Sequence, residues 1–380
     1  MTNDKMAEGV LDEDEEQPSV EAERDDPELF IKKPFDPGKI KVRTESRVVE
    51  QIVSRIAHDE IDLAPDFQRL RGVWNSTRQS RLIESLLVRI PLPVFYVAAD
   101  ANENWAVVDG LQRISTMDDF INNRFALSNL EYLTQYDDHQ FVDIPRPMQR
   151  RINETQLLIH VIDPGTPEEV MFNIFSRINT GGVRLNGQEI RHALHKGPAR
   201  QFLKDLADSK AFTNATAGTV RKDRMADREC VLRFLAFFID PWEKYASNDL
   251  DGFLSSAMTK LNTIKDLDRA LLQSNFEKAM LAAYTMFGND AFRKRYSIEA
   301  TSRNPVSKAL FESWSVALAR CDSSQIKTLV NKKDAVRRGF VDLMTNDRGF
   351  DVSISYSTGV PQRVEKRFES IQTLVRGLLG

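Results

Sequence analysis

Along residues 46 to 57 (SRVVEQIVSRIA), Val49, Ile52, Val53 and Ile56 recur at helical spacing, which predicts an amphipathic first helix. A turn around Pro65 follows. Asn75 then supplies an N-cap for a second helix that runs through RQSRLIESLL until the prolines of IPLP stop it. Residues 94 to 98 (VFYVA) and 105 to 108 (WAVV) are β-branched or aromatic, and the ANEN between them is turn chemistry, so the pair predicts a hairpin. A helix from about Leu111 to Asn123, a short helix ending near Asn153 and a strand over 155 to 162 (TQLLIHVI) come next. Helices at about 166 to 177 and 186 to 196 flank the loop INTGGVRLN. After Gly197 the period is helical almost throughout, over 227 to 240, 251 to 264, 268 to 287, 305 to 320, 324 to 345 and 361 to 379. The pattern therefore predicts an α+β protein: a mixed α/β part at 39 to 196 and a mostly helical part at 197 to 380.

Charge adds a third segment. Residues 1 to 30 hold twelve acids against two bases, a net −10, so the rest of the chain is about +6 although the whole is −4. So acidic a stretch, poor in aromatics, cannot bury enough apolar area to offset its ordering entropy, and 1 to 38 is expected to be a disordered acidic tail, either solubilising or competing with nucleic acid for the basic body. No run of eighteen apolar residues exists, and the start is acidic where a signal peptide would be basic and then apolar, so a cytoplasmic protein without a membrane partner is expected. Cys230 and Cys321 sit among apolar helical residues and predict core filler rather than a disulfide.

Three polar clusters interrupt the apolar patterning. Asp66-Phe67-Gln68-Arg69 lies in a loop, where the Arg69 guanidinium fork suits phosphate, or equally a surface ion pair. The second cluster is VVDGLQRIST, residues 107 to 116. Gly110 permits a tight turn from strand to helix, and the free N–H groups of a helix start favour an anion. Arg113 adds a fixed charge, Ser115 and Thr116 add hydroxyls, and Asp109 either holds a divalent cation, orients Arg113, or merely caps the helix. In the third, FSRINTGGVRLNGQEIRHAL at 175 to 194, Arg177 and Asn179 end one helix, Thr180, Gly181 and Gly182 form a turn open to a ligand, and Asn186 starts a helix carrying Glu189 and Arg191. A turn and nothing more is the alternative. No Gly-Lys-Ser/Thr phosphate loop, zinc-protease spacing, HNH-type His-x-x-Pro pattern or Gly-x-Ser-x-Gly elbow is present. His192 and His195, one turn apart, offer a ligand pair, but two solvated helical histidines are the expectation.

In this order the clusters resemble the ParB/sulfiredoxin-like domain at the N-terminus of GmrSD-type restriction endonucleases and related phage-defence proteins. The matching stretches are FQRLRGVW at 67 to 74, SRLIESLLVRIPLPVFYV at 80 to 97, DGLQR at 109 to 113 against the family's DGQQR, IFSRINTGGVRLNGQEIRHA at 174 to 193 and, in the helical part, DRECVLRF at 227 to 234. The resemblance runs from about residue 45 to near the C-terminus. It implies nucleoside triphosphate binding and Mg²⁺-dependent hydrolysis, with no preferred base indicated. Asp109, Gln112 and Arg113 are then the catalytic residues. Gln68, Arg69, Gly110, Thr116, Arg177, Thr180, Gly181 and Gly182 bind nucleotide and phosphate, and Asp109 and Asn179 hold the metal. DNA and a separate effector nuclease are the implied partners, and a homo-oligomer is compatible. Leu111 departs from the hallmark by replacing its first glutamine, and no HNH nuclease domain accompanies it. Two other readings are therefore carried: a nucleotide or DNA sensor without turnover, and a direct DNA-binding nickase using the arginines of RRIN, VRKDR and VRRGF.

Overall fold

The computed structural model describes residues 20–21, 41–63, 74–166, 170–171, 174, 186–222 and 224–380. The first part is built on a five-stranded sheet in the order β1-β5-β3-β4-β2. Strand β1 (Val42–Val48) leads directly into α1 (Val49–Ala57), and the two-residue β2 (Ile61–Asp62) pairs in parallel with the start of β4. Helix α2 (Ser76–Leu87) takes Asn75 as its N-cap, the Asn75 side chain accepting from the Arg78 N–H at 2.9 Å. The hairpin forms as its patterning predicts, from β3 (Phe95–Ala99) and β4 (Trp105–Asp109), and the turn Gly110 launches α3 (Leu111–Ile121). After α4 (Arg146–Asn153), β5 (Gln156–Ile162) inserts between β1 and β3, antiparallel to the first and parallel to the second.

One face of this sheet buries Phe95, Val97, Trp105 and Val107 against α1, α2 and α3, in a core that also takes Ile83, Leu86, Ile114 and Phe120. The opposite face carries Ala98, Val108 and Ile162, covered by Met171, Ile174 and α5 (Gly187–Leu194) through Ile190 and Leu194. Strand residues of alternating parity thus feed two apolar layers, as a sheet covered on both faces requires.

From Gly197 onward the described chain is helical: α6 (Pro198–Asp208), α7 (Lys210–Ala215), α8 (Ala226–Ile239), α9 (Leu250–Thr263), α10 (Asp266–Phe287), α11 (Lys308–Arg320), α12 (Ser323–Asn331), α13 (Lys333–Asn346), α14 (Arg348–Ser355) and α15 (Pro361–Leu379). They share one large core centred on Phe234, Phe237, Phe276, Phe311 and Trp314. The expected α+β organisation, mixed first and mostly helical afterwards, is what the structure has.

Several elements differ from the expectation. Residues 46 to 48 belong to β1 rather than to the first helix. The span 324 to 345 is two helices, because the chain breaks at Lys332. Helices α6, α7 and α14 lie outside the predicted set. Both cysteines are buried as core filler, with burial pushing the Cys230 thiol up to about 12.

Candidate functional site

The site grows from the exit of β4. Tyr96 pairs with Asp109 while Val97 pairs with Val107, so Val108 is an extra residue and the strand bulges there. Such a bulge re-aims the side chains at a strand end. Gly110 then takes φ +97°, a left-handed conformation that L side chains rarely adopt, and serves as N-cap of α3 with no side-chain cap. Asp109 therefore does not cap the helix, which leaves the first N–H groups of α3 without a side-chain acceptor at that end. A Cβ at Gly110 would collide with the Phe95 ring edge and come within 3.1 Å of Arg113 Nη2. Glycine is thus required twice over, by conformation and by space.

Arg113 is the centre of this turn. Its guanidinium lies 4.2 Å over the Phe95 ring, donates from Nη1 to the Pro93 carbonyl, and from Nη2 to the Val94 carbonyl at 3.2 Å and to Asp109 Oδ2 at 3.0 Å. Burial pushes its pKa down and Asp109 pulls it up. The fork ties the start of β3 to the end of β4, so Arg113 shapes the site besides bringing positive charge to it. Asp109 Oδ2 accepts from Arg113, and among the described residues nothing donates to Oδ1. Gln112 is half-buried on the first turn of α3, and Leu111 packs its side chain against the sheet core. Thr116 and Ser115 are buried, and Ser115 Oγ has no hydrogen-bond partner among the described residues.

A polar row crosses the sheet beside Asp109. Thr44 of β1 opposes His160 of β5, His160 opposes Tyr96 of β3, and Tyr96 opposes Asp109. Thr44 Oγ1 lies 2.9 Å from His160 Nδ1, and the His160 and Tyr96 rings are 5.0 Å apart. Sequence reasoning missed this row, since its members are scattered over four strands and only strand order aligns them.

Gln68 and Arg69 of the first cluster, and Arg177, Asn179, Thr180, Gly181 and Gly182 of the third, lie outside the described residues. Their flanks are described. Ile61–Asp62 runs parallel to β4, so the chain leaves β2 toward the end of the sheet where Asp109 sits. Ile174 and Ile190, on either side of the stretch from Arg177 to Gly182, both pack in the layer that contains Val108, the residue before Asp109. Asn186 opens α5 in a capping box: its side chain accepts from Glu189 N–H at 2.9 Å, and Glu189 Oε2 accepts from Asn186 N–H at 2.6 Å. Glu189 also pairs with Arg224 at 2.9 Å.

His192 and His195 are buried, against the expectation of solvated helical positions, because α5 is sandwiched between the sheet and the helical part. His195 is held down to about 4 by burial and by its neighbours Arg191 and Arg200. Among the described residues no cluster of three or more His, Cys, Asp and Glu groups could hold a metal ion by itself. One carboxylate with a free oxygen suits a magnesium ion that arrives with phosphates, since that ion usually keeps one or two protein carboxylates and takes its remaining ligands from water and phosphate.

A sheet covered on both faces, with a bulged strand exit that runs through a left-handed glycine into a helix start, defines a mixed α/β domain. Residues 49–196 match the family model described as GmrSD restriction endonuclease, N-terminal domain, and this stretch of the chain belongs to that domain family. No curated protein and no solved structure matches the chain. The match ends where the helical part begins, so DRECVLRF lies beyond it. In the structure Glu229 and Arg233 of that stretch join a buried ionic chain, Lys308 to Glu229 at 2.8 Å, Arg233 to Glu229 at 3.0 Å and to Glu312 at 3.4 Å, and Arg367 to Glu312 at 2.8 Å. Burial alone would raise the Glu229 carboxyl, but Lys308, Arg233 and Arg191 hold it well below the usual range.

Proposed function

We propose that the protein is the nucleotide-dependent component of a phage-defence restriction system, binding a nucleoside triphosphate at the exit of β4 and hydrolysing it. The observation that carries this reading is the Gly110 turn: a left-handed glycine, uncapped helix N–H groups, a half-buried Arg113 and an Asp109 with one oxygen that no described residue donates to, all within five residues. Phosphates meet the α3 N-terminus and the positive charge of Arg113, and Asp109 Oδ1 orients the attacking water or takes the magnesium ion that accompanies the nucleotide. That ion neutralises charge on the phosphate oxygens when bound. Gln112 orients the water or the nucleotide. Gln68, Arg69, Arg177, Asn179, the Thr180-Gly181-Gly182 turn and Thr116, which is buried one turn into α3, supply further contacts. Catalysis of this kind rests on position and electrostatics rather than on a covalent intermediate.

Phosphate release from each of the four common triphosphates by wild type and by Asp109→Asn tests the assignment. A fall of about 100-fold or more is expected on removing the charge that positions the reacting groups; equal rates would overturn it. The packing of Leu111 against the core favours a second reading, a sensor that binds nucleotide without turnover. Measurable affinity with no product selects it, and Leu111→Gln, which restores a polar group at that position, then raises turnover. In both readings the nuclease is a separate partner acting on DNA, and the protein is cytoplasmic. Among the described residues no helix is long and apolar enough to cross a membrane.

A further inference from the structure

Val306 joins residues from distant parts of the chain through two isolated β-bridges. It bridges Arg293 in antiparallel fashion and Val20 in parallel, so Val20 pairs with an extended stretch that the helical part provides. The Glu21 N–H donates to the Val306 carbonyl at 2.9 Å, and the Val20 side chain packs against the large helical core. Backbone bonds with alternate side chains in pockets are how a sheet edge captures an extended peptide. The second anchor is ionic. Lys294 is 9% exposed; its ammonium donates to Glu21 Oε1 at 2.6 Å and to Ser355 Oγ at 2.7 Å, and among the described residues it meets no other carboxylate. A buried ammonium left with a hydroxyl alone is costly, so this pocket is built for an acid supplied from outside the helical fold. Behind Glu21 a small cleft continues between Ser307, Lys308, Ile354 and Thr358.

We infer that the edge formed by Val306, Lys294 and Ser355 is a peptide-docking site for an extended acidic segment, and that its occupant is this chain's own N-terminal segment, engaged in cis through Val20 and Glu21. The complementarity is in the sequence: twelve of the first thirty residues are acids. Twenty peptide units link Glu21 to Lys41, a span of up to about 70 Å when extended. While docked, the segment denies Lys294 to any other acidic ligand.

Amide hydrogen exchange on the full chain tests this, read at residues 20–21 and at 304–308. Protection is expected at both in wild type. Lys294→Glu lowers it at least 10-fold, and Glu21→Lys in the same chain restores it. Glu21→Lys alone, at a position outside the helical core, also lowers it with helix content unchanged, which covers the case of Lys294→Glu failing to fold. Protection missing from wild type, or indifferent to either charge reversal, overturns the inference. Protection that disappears on dilution, with a dimer in light scattering, overturns the cis assignment and gives the site to a second copy.

Discussion

Gly110 holds φ +97° with the Phe95 ring against the space a side chain would need, and the Arg113 guanidinium closes the other side. Three consequences meet at one residue: the helix start is bare, Asp109 is free of capping duty, and Arg113 is locked to the carbonyls of Pro93 and Val94. Gly110→Ala adds left-handed strain and a clash together, and is expected to lower stability by about 1–3 kcal/mol and to abolish nucleotide binding. Urea midpoints of the two proteins measure the first effect, and an unchanged midpoint would contradict the steric account. The motif itself was legible in the sequence, because Asp-Gly at a strand exit followed by Arg on the next turn admits few geometries. Its frame was not. The Phe95 ring under Arg113 and the row Thr44, His160, Tyr96 and Asp109 depend on strand order, which no local pattern encodes.

Elements with strong local signals formed where they were expected. The β3–β4 hairpin, the Asn75 cap of α2 and the Asn186 start of α5 each rest on chemistry confined to a few residues. Strand β1 failed this test for a physical reason. It is an edge strand whose residues Arg43, Glu45 and Arg47 pair with one another, leaving Val42 and Val48 as its only aliphatic residues, so 42 to 45 carry no strand signal and 46 to 48 read as the start of the helix that follows. Helix α5 shows what a legible cap can conceal. The Asn186 and Glu189 box ends the third polar cluster, but Glu189 also pairs with Arg224 and Asn186 Nδ2 donates to the Arg224 carbonyl at 2.7 Å, so the cap is also a clamp on the approach to α8. Asn186→Ala should therefore cost more than an exposed cap, nearer the upper end of the usual range at about 2 kcal/mol. Thermal unfolding measures it, and a loss of a few tenths would show that the Arg224 contact adds nothing.

Across the whole molecule, the sheet part and the helical part meet through ion pairs whose arginines are largely buried. Arg200 of α6 pairs with Asp62 of β2 at 2.6 Å, and Arg191 of α5 pairs with Asp251 of α9 at 2.6 Å. His195, the C-cap of α5, lies between these two arginines with Thr259 at 3.4 Å from Nδ1, so its protonated form would put a third positive charge in a desolvated junction. Its pKa drops from 6.5 to about 4 on folding, which means the unfolded chain takes up the proton first as pH falls. The stability that the neutral imidazole permits is fully present above 6.5, and it declines between 6.5 and about 4 by roughly 3 kcal/mol. Glu229, whose carboxyl is held low, contributes its loss only below the ordinary carboxylate range, so the two effects separate along the pH axis. Urea unfolding from pH 7 to pH 4 is expected to show this decline in wild type and a much flatter curve in His195→Asn. Parallel curves for the two proteins would place the acid sensitivity elsewhere, whereas a flattened one would identify the junction as the point at which acid loosens the sheet part from its helical partner.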